Sequence, residues 1–324
     1  MIDTLIIGAG ISGLLAATRL KSTGRSVLVL DKGRGVGGRM ASRRMSDDGK
    51  TRADHGAQFF TVRDAQFERW VKQWLNSGVV EEWCRGFSGQ DGHPRYRGAG
   101  GMTAVAKQLA AHLDVRTKTK VTAIQQKDET WQVLTEDGTA FACYNLIVTS
   151  PVPQSLTLLK VELPQADRTA LEAISYHPCF AVMALLSAPS QMPAPGGIQV
   201  RGPVIDWIGD NHQKGISAET TVTIHGSPDF TRQHLNADRL EVGQMLIDVA
   251  DRAGYFDKTA VESYQVHRWM YAQPINCYPK RCLNIPINGL PIVFAGDAFK
   301  HARVEGAALS GLAAAESLLA TSQP

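Results

Sequence analysis

Thr4-Leu5-Ile6-Ile7-Gly8-Ala9-Gly10-Ile11-Ser12-Gly13-Leu14-Leu15-Ala16-Ala17 decides the fold of this 324-residue chain: an apolar strand runs into G-x-G-x-x-G and continues as an apolar helix. Gly8 permits the tight turn, Gly10 lets a pyrophosphate approach the backbone, and Gly13 lets the helix close on the sheet. The first helical turn, with Ile11 and Ser12, aims its free N–H groups at the phosphates. Such a turn also ends ordinary strands, so the next strand carries the decision. Val27-Leu28-Val29-Leu30-Asp31 is a buried parallel-type strand. It ends about 20 residues beyond the glycines in a carboxylate that can accept hydrogen bonds from both hydroxyls of an adenosine ribose and would repel a 2'-phosphate.

Asp31-Lys32-Gly33-Arg34-Gly35-Val36-Gly37-Gly38-Arg39 is a second glycine-rich loop, for which a plain nicotinamide domain has no use. It resembles the G-G-R loop of the monoamine oxidase-like flavoprotein superfamily. The resemblance implies that Lys32 belongs to the cofactor loop, that Gly37 and Gly38 admit a flavin close to the backbone, and that Arg39 faces the pyrophosphate or the ring edge. Asp54-His55-Gly56-Ala57-Gln58-Phe59-Phe60 is similar to the segment that passes the isoalloxazine ring in that superfamily, with Gly56 making room for it. Near the C-terminus, Ile292-Val293-Phe294-Ala295-Gly296-Asp297 followed by Val304-Glu305-Gly306-Ala307 resembles the closing motif of the same superfamily. It implies that Gly296 and Asp297 meet the ribityl or pyrophosphate region. The helix opening at Gly306 and Ala307 would face the flavin N1–C2=O edge with its positive dipole end. The strand starting at Val121 is implied to meet the adenine. Non-covalent FAD is therefore the expected cofactor.

The length exceeds one typical core, so two domains are expected. The net charge of +3 has acids and bases interspersed, and the short basic runs at Arg39–Arg44 and Arg116–Lys120 lack interleaved aromatics, which argues against a nucleic-acid or membrane partner. Asp3 stands where a signal peptide would carry positive charge, and no apolar stretch reaches the ~18 residues of a membrane span. Cys84, Cys143, Cys179, Cys277 and Cys282 show neither disulfide nor zinc spacing, so no metal is expected and a reduced, cytoplasmic setting is. Cys277 and Cys282 could be a redox pair or two ordinary thiols.

The expected fold is α/β: a Rossmann-like FAD-binding domain, with a parallel sheet and a β-meander, plus an α+β substrate domain with a mixed sheet. The FAD-binding part takes residues 1–60, 96–151 and 285–324, and the substrate domain residues 61–95 and 152–284. Phe67, Trp70, Val71, Trp74 and Leu75 are spaced as the buried face of a helix, and irregular chain is expected from Gly86 to Pro94. The spacing predicts a meander over Val115–Ala142 turning at Asp137-Gly138. Strands are predicted at Phe180–Leu186, Ile205–Ile208, Thr221–His225 and Tyr264–Trp269, and helices near 165–175 and 236–253.

Two further stretches, Ile224-His225-Gly226-Ser227-Pro228-Asp229-Phe230 and His267-Arg268-Trp269-Met270-Tyr271-Ala272-Gln273-Pro274, together with Arg303-Val304-Glu305-Gly306-Ala307, resemble the renalase family along essentially the whole chain. That resemblance implies oxidation of nicotinamide dinucleotides whose hydride sits at the 2 or 6 ring position, giving β-NAD(P)+, with O2 as acceptor and H2O2 as product. It implies that His225 donates to the nicotinamide carboxamide, that Trp269 forms an apolar wall, and that Tyr271 is a further candidate. Read as residues alone, His225 is a strand-end histidine satisfied by backbone and Trp269 a core residue at a domain seam; the resemblance brings the two readings level. Arg268, Arg303, Lys300 and Arg63 are the available partners for substrate phosphates, and the sequence does not choose among them. An amine oxidase, an NAD(P)H oxidase or dehydrogenase, and a non-catalytic flavin redox sensor remain as alternatives.

Overall fold

Side-chain alternation builds the central sheet. Leu5, Ile7, Leu28, Leu30, Leu146 and Val148 point into one core, while Ile6, Val29 and Ile147 between them point into another. Strands buried on both faces are continuous apolar runs, which is how Thr4–Ile7 and Val27–Leu30 read. The computed structural model describes residues 1–87 and 92–320; part of the irregular stretch expected at Gly86–Pro94 thus lies outside the described residues.

The eight-stranded sheet runs in the order Leu283–Ile287, Leu290–Phe294, Ala140–Val148, Ile2–Ile7, Val27–Leu30, Asp114–Arg116. The last five pair parallel. Leu283–Ile287 adds an antiparallel edge, and Val121–Lys127 with Thr130–Thr135 forms a meander on Ala140–Cys143. Val115 pairs parallel with Val29 instead of opening the meander, so the meander is shorter than its alternation suggested. Helices Ile11–Lys21, Ala65–Asn76, Thr103–Ala110 and Val304–Ala320 cover one face. Phe67, Val71 and Trp74 are buried in that layer as expected, whereas Leu75 is exposed. The other face is closed by the meander, with Trp131 fully buried and its indole N–H donating to Pro291 O at 3.0 Å.

The second sheet has the order Gly197–Gln199, Ile205–Asp210, Thr221–Gly226, Tyr176–Leu186, Val261–Pro274. It is antiparallel throughout, so the mixture of strand senses falls in the dinucleotide sheet. Helix Arg239–Arg252 buries Val242, Leu246, Ile247 and Ala250 against Phe180, Val182, Val222 and Ile224. By the period of two, Thr221, Thr223 and His225 then face the opposite way, toward the short hairpin of Ser42–Arg44 and Arg52–Asp54. There Thr221 Oγ1 donates to Arg52 O at 2.6 Å and Thr223 Oγ1 to Asp54 O at 2.8 Å. The site lies in the seam these contacts close.

Candidate active site

The glycines of the first turn are required for different reasons. Gly8 has φ +112° and a Cβ there would collide with Thr149 Oγ1, while a Cβ on Gly13 would collide with Gly8 O. At Gly10 a Cβ would meet nothing within 4 Å, so nothing in the chain itself demands glycine there. Gly10, Ile11 and Ser12 line a cavity of about 750 Å³, and the Ser12 hydroxyl is buried there without a hydrogen-bond partner. An open glycine, an orphaned hydroxyl and a helix N-terminus facing one cavity fit a bound diphosphate.

Asp31 accepts from Ala9 N at 2.7 Å and Gly33 N at 2.6 Å, one bond per carboxylate oxygen. Each oxygen keeps a lone-pair direction for a hydroxyl. Lys32 is turned to solvent and bonds Gln154 at 3.1 Å. The second glycine loop docks on the first: Gly37 N donates to Ala9 O at 2.8 Å, and Gly38 sits beside Gly10 Cα. Arg39 and Asp297, both expected at the cofactor, form a bidentate pair at 2.6 and 2.7 Å, and Arg39 also donates to Tyr271 O. The pair fastens the second loop to the closing motif on the cavity wall. Val121 lies at the start of the meander and outside the cavity lining.

Gly56, Ala57 and Phe59 line the cavity. The glycine at 56 answers a constraint other than the ring clearance expected of it: a Cβ there would collide with Arg39 O, so it is needed to stack the loop on Arg39. Gln58 is turned inward and donates to Asp54 O at 2.6 Å, holding the loop without reaching the cavity. Gly306 likewise makes room for His301 O. Gly296, Asp297, Val304, Glu305 and Ala307 line the cavity, Gly296 N donating to Ser310 Oγ at 2.8 Å. Glu305 accepts from Arg63 N at 2.7 Å and Asp64 N at 2.8 Å, which pins the following loop to the closing helix.

On the opposite wall, His225 and Trp269 line the cavity. Trp269 Nε1 donates to His55 O at 2.7 Å and its ring stacks on His55 at 5.3 Å; His267 meets Trp269 edge-on at 4.1 Å. Burial dominates the electrostatics: desolvation pushes the imidazole of His55 down to about 3 and those of His225 and His267 to about 4. All three are neutral near pH 7. Nε2 of His225 is buried without a partner, and the His55 backbone opposes the effect of that burial on the ring. A neutral imidazole carries one N–H donor and one acceptor nitrogen, so His225 can meet a ligand in either role. Tyr271 meets Tyr176 edge-on at 5.5 Å and is outside the lining.

Of the four basic candidates, Arg63 and Arg303 line the cavity, Lys300 does not, and Arg268 bonds Leu235 O away from it. Sequence reasoning missed Arg95 and Arg201, which also line it, and the aromatic cluster that Trp83, Phe87 and Trp207 build around the expected Phe59, with rings meeting at 4.9–6.4 Å. The Arg95 guanidinium lies 4.6 Å from the Phe87 ring and 5.6 Å from Phe59. The members of this cluster are scattered over 150 residues of chain, and no local spacing signals them. Cys277 and Cys282 are both held above the ordinary thiol value by burial, the state of ordinary protonated thiols.

Comparison with known proteins agrees with this geometry. Residues 6–74 match the NAD(P)-binding Rossmann-like domain, and residues 69–319 match the flavin containing amine oxidoreductase family. Renalase from Mus musculus is 26% identical over 335 residues, covering 96% of this chain and 97% of the mouse protein. Two solved structures share the fold across 99% of both chains. One is an Exiguobacterium sp. 255-15 protein assigned as a protoporphyrinogen oxidase, with TM-score 0.73 and 14% identity. The other is a putrescine oxidase variant, with TM-score 0.67 and 16% identity.

Proposed function

The chain belongs to the flavin-containing amine oxidoreductase family, and from that premise we propose that it is a renalase-like oxidase of dihydronicotinamide dinucleotides carrying non-covalent FAD. Residues 1–60, 96–151 and 285–324 would hold the cofactor, and 61–95 and 152–284 would shape the substrate side. Bound FAD supplies the hydride acceptor and its reoxidation by O2, so that dihydro-NAD(P), O2 and a proton give β-NAD(P)+ and H2O2.

The observation that carries the reading is the charge of the cavity. Five arginines line it (Arg39, Arg63, Arg95, Arg201, Arg303) against three carboxylates (Asp206, Asp297, Glu305). Asp297 is paired with Arg39, and Glu305 accepts two backbone N–H groups. An ammonium substrate would enter a positive field, and the aromatic faces of Phe59 and Phe87 that could cage it already carry Arg95. A diphosphate-bearing substrate suits the same cavity. Neutral His225 would hydrogen-bond the carboxamide of the nicotinamide, and Trp269, fixed through His55 O, would wall the dihydropyridine and limit its orientations. Cys179, the lining cysteine among the described residues, is held protonated by burial at about 12, which disfavours a thioether link to the flavin.

Anaerobic mixing of the yellow holoprotein with separated 2-, 4- and 6-dihydro isomers tests the reading. Fast loss of flavin absorbance with the 2- or 6-dihydro forms alone is the expected result. Fast loss with the 4-dihydro form would make the protein an NAD(P)H oxidase or dehydrogenase. No loss with any isomer would return the question to amines or a redox sensor.

A further inference from the structure

We infer that Arg63 and Arg303 form a clamp at the cavity mouth for the diphosphate that joins the two halves of a dinucleotide substrate; this rests on the dihydronicotinamide reading above. Both side chains line the cavity and are exposed there, and among the described residues neither guanidinium has a hydrogen-bond or ion-pair partner. They lie 240 positions apart in sequence, and Glu305 brings them together. Its buried carboxylate accepts the backbone N–H of Arg63 and of Asp64, while Arg303 stands two residues before it. Asp64 is fixed as well: it caps helix Ala65–Asn76 through Gln66 N at 2.8 Å and bonds Arg281 at 2.7 Å. The backbone under Arg63 is thus held from both sides while its side chain is left for a ligand.

Two unengaged planar donor forks lining one cavity, on backbones fixed at the same carboxylate, match a diphosphate, whose oxygens accept bidentate bonds from each. The remaining lining arginines are engaged elsewhere or stand on another element. Arg39 is consumed by Asp297 and Arg95 lies on Phe87; the Arg201 guanidinium also has no partner among the described residues, but its backbone stands on the hairpin of the antiparallel sheet and not at the Glu305 joint. The FAD diphosphate is provided for separately at Gly10 and Ser12, so Arg63 and Arg303 are not required for it.

The test uses the FAD-loaded Arg63→Ala and Arg303→Ala proteins and two substrates with the same ring, 6-dihydro-NAD and the phosphate-free 6-dihydronicotinamide riboside. The ratio of KM for the dinucleotide to KM for the riboside rises about tenfold in each variant, the size of one lost charge-assisted bond. Calorimetric titration of the holoprotein with inorganic pyrophosphate shows a matching loss of affinity. Equal changes for both substrates, an unchanged ratio, or loss of FAD from either variant would overturn the clamp. If neither substrate reduces the flavin, the oxidase reading fails by itself, and the pyrophosphate titration still decides whether the two arginines bind a diphosphate.

Discussion

At Gly8, Gly10 and Gly13 one motif carries two kinds of constraint. Gly8 and Gly13 are glycine because Thr149 and Gly8 O occupy the space of a side chain; Gly10 is glycine although that space is empty of protein. Gly10→Val therefore folds with near-native stability and loses FAD, the isopropyl group standing where the pyrophosphate belongs. An overpacking cost of about 1–3 kcal/mol corresponds to roughly 10–100-fold weaker binding. Gly13→Val instead destabilises the fold itself. Flavin content after gel filtration and the urea midpoint separate the two outcomes, and a yellow Gly10→Val protein would contradict the assignment of the diphosphate to this turn.

Elements convert this local chemistry into a site through side-chain parity. One face of the antiparallel sheet is consumed by helix Arg239–Arg252, so the odd positions His225, His267 and Trp269 project toward His55. The three imidazoles there are neutral because they are desolvated, and this fixes a pH dependence. An unfolded histidine titrates near 6.5, whereas these titrate at about 3 to 4. Their contribution is whole above about pH 6.5 and falls as pH drops toward 4, because the unfolded chain takes up protons that the native state refuses. Each such proton adds about 1.4 kcal/mol per pH unit to the slope. His55→Gln should lower the slope of unfolding free energy between pH 6.5 and 4.5 by about that amount in urea titrations; an unchanged slope would show that His55 is protonated in the native state. Parity also explains what was legible in the sequence. The strands at Thr221–His225 and Tyr264–Trp269 were readable from alternation, and the glycine loops from spacing, since both are local. The packing of His55 against His267 and Trp269 was not, because it joins a loop and a strand about 210 residues apart. Nor was the need for Gly311, whose Cβ would collide with Ser12 O where helices Ile11–Lys21 and Val304–Ala320 cross.

Across the whole molecule, a buried ion pair that no motif announced joins the short strand Arg52–Asp54, which pairs with Ser42–Arg44 outside the two large sheets, to the turn that follows Ile205–Asp210. Lys214 Nζ lies 2.7 Å from Asp54 Oδ2 with side-chain exposures of 1% and 0%. Asp54 also accepts from Met102 N at 2.9 Å and from Ser42, while Asn211 holds its backbone N–H at 3.2 Å. Next to it in sequence is His55, whose carbonyl takes the Trp269 indole. Burial pulls the Lys214 ammonium below its ordinary value and Asp54 opposes that pull, so the pair exists only while both partners are present. A buried pair of this kind contributes little against an apolar replacement, but loss of one partner strands the other charge at about 3–5 kcal/mol. Lys214→Met should therefore cost about that much in unfolding free energy, and Asp54→Asn added to it should recover a large part, because the amide keeps an acceptor for Met102 N without a stranded charge. If the joint also sets the wall over the flavin, Lys214→Met holoprotein under native conditions reduces more slowly with the 6-dihydro substrate, and the double variant recovers rate together with stability. A single variant costing less than about 1 kcal/mol, or a double variant less stable than the single, would mean that the seam is held by the threonine and asparagine bonds and that the ion pair is incidental to it.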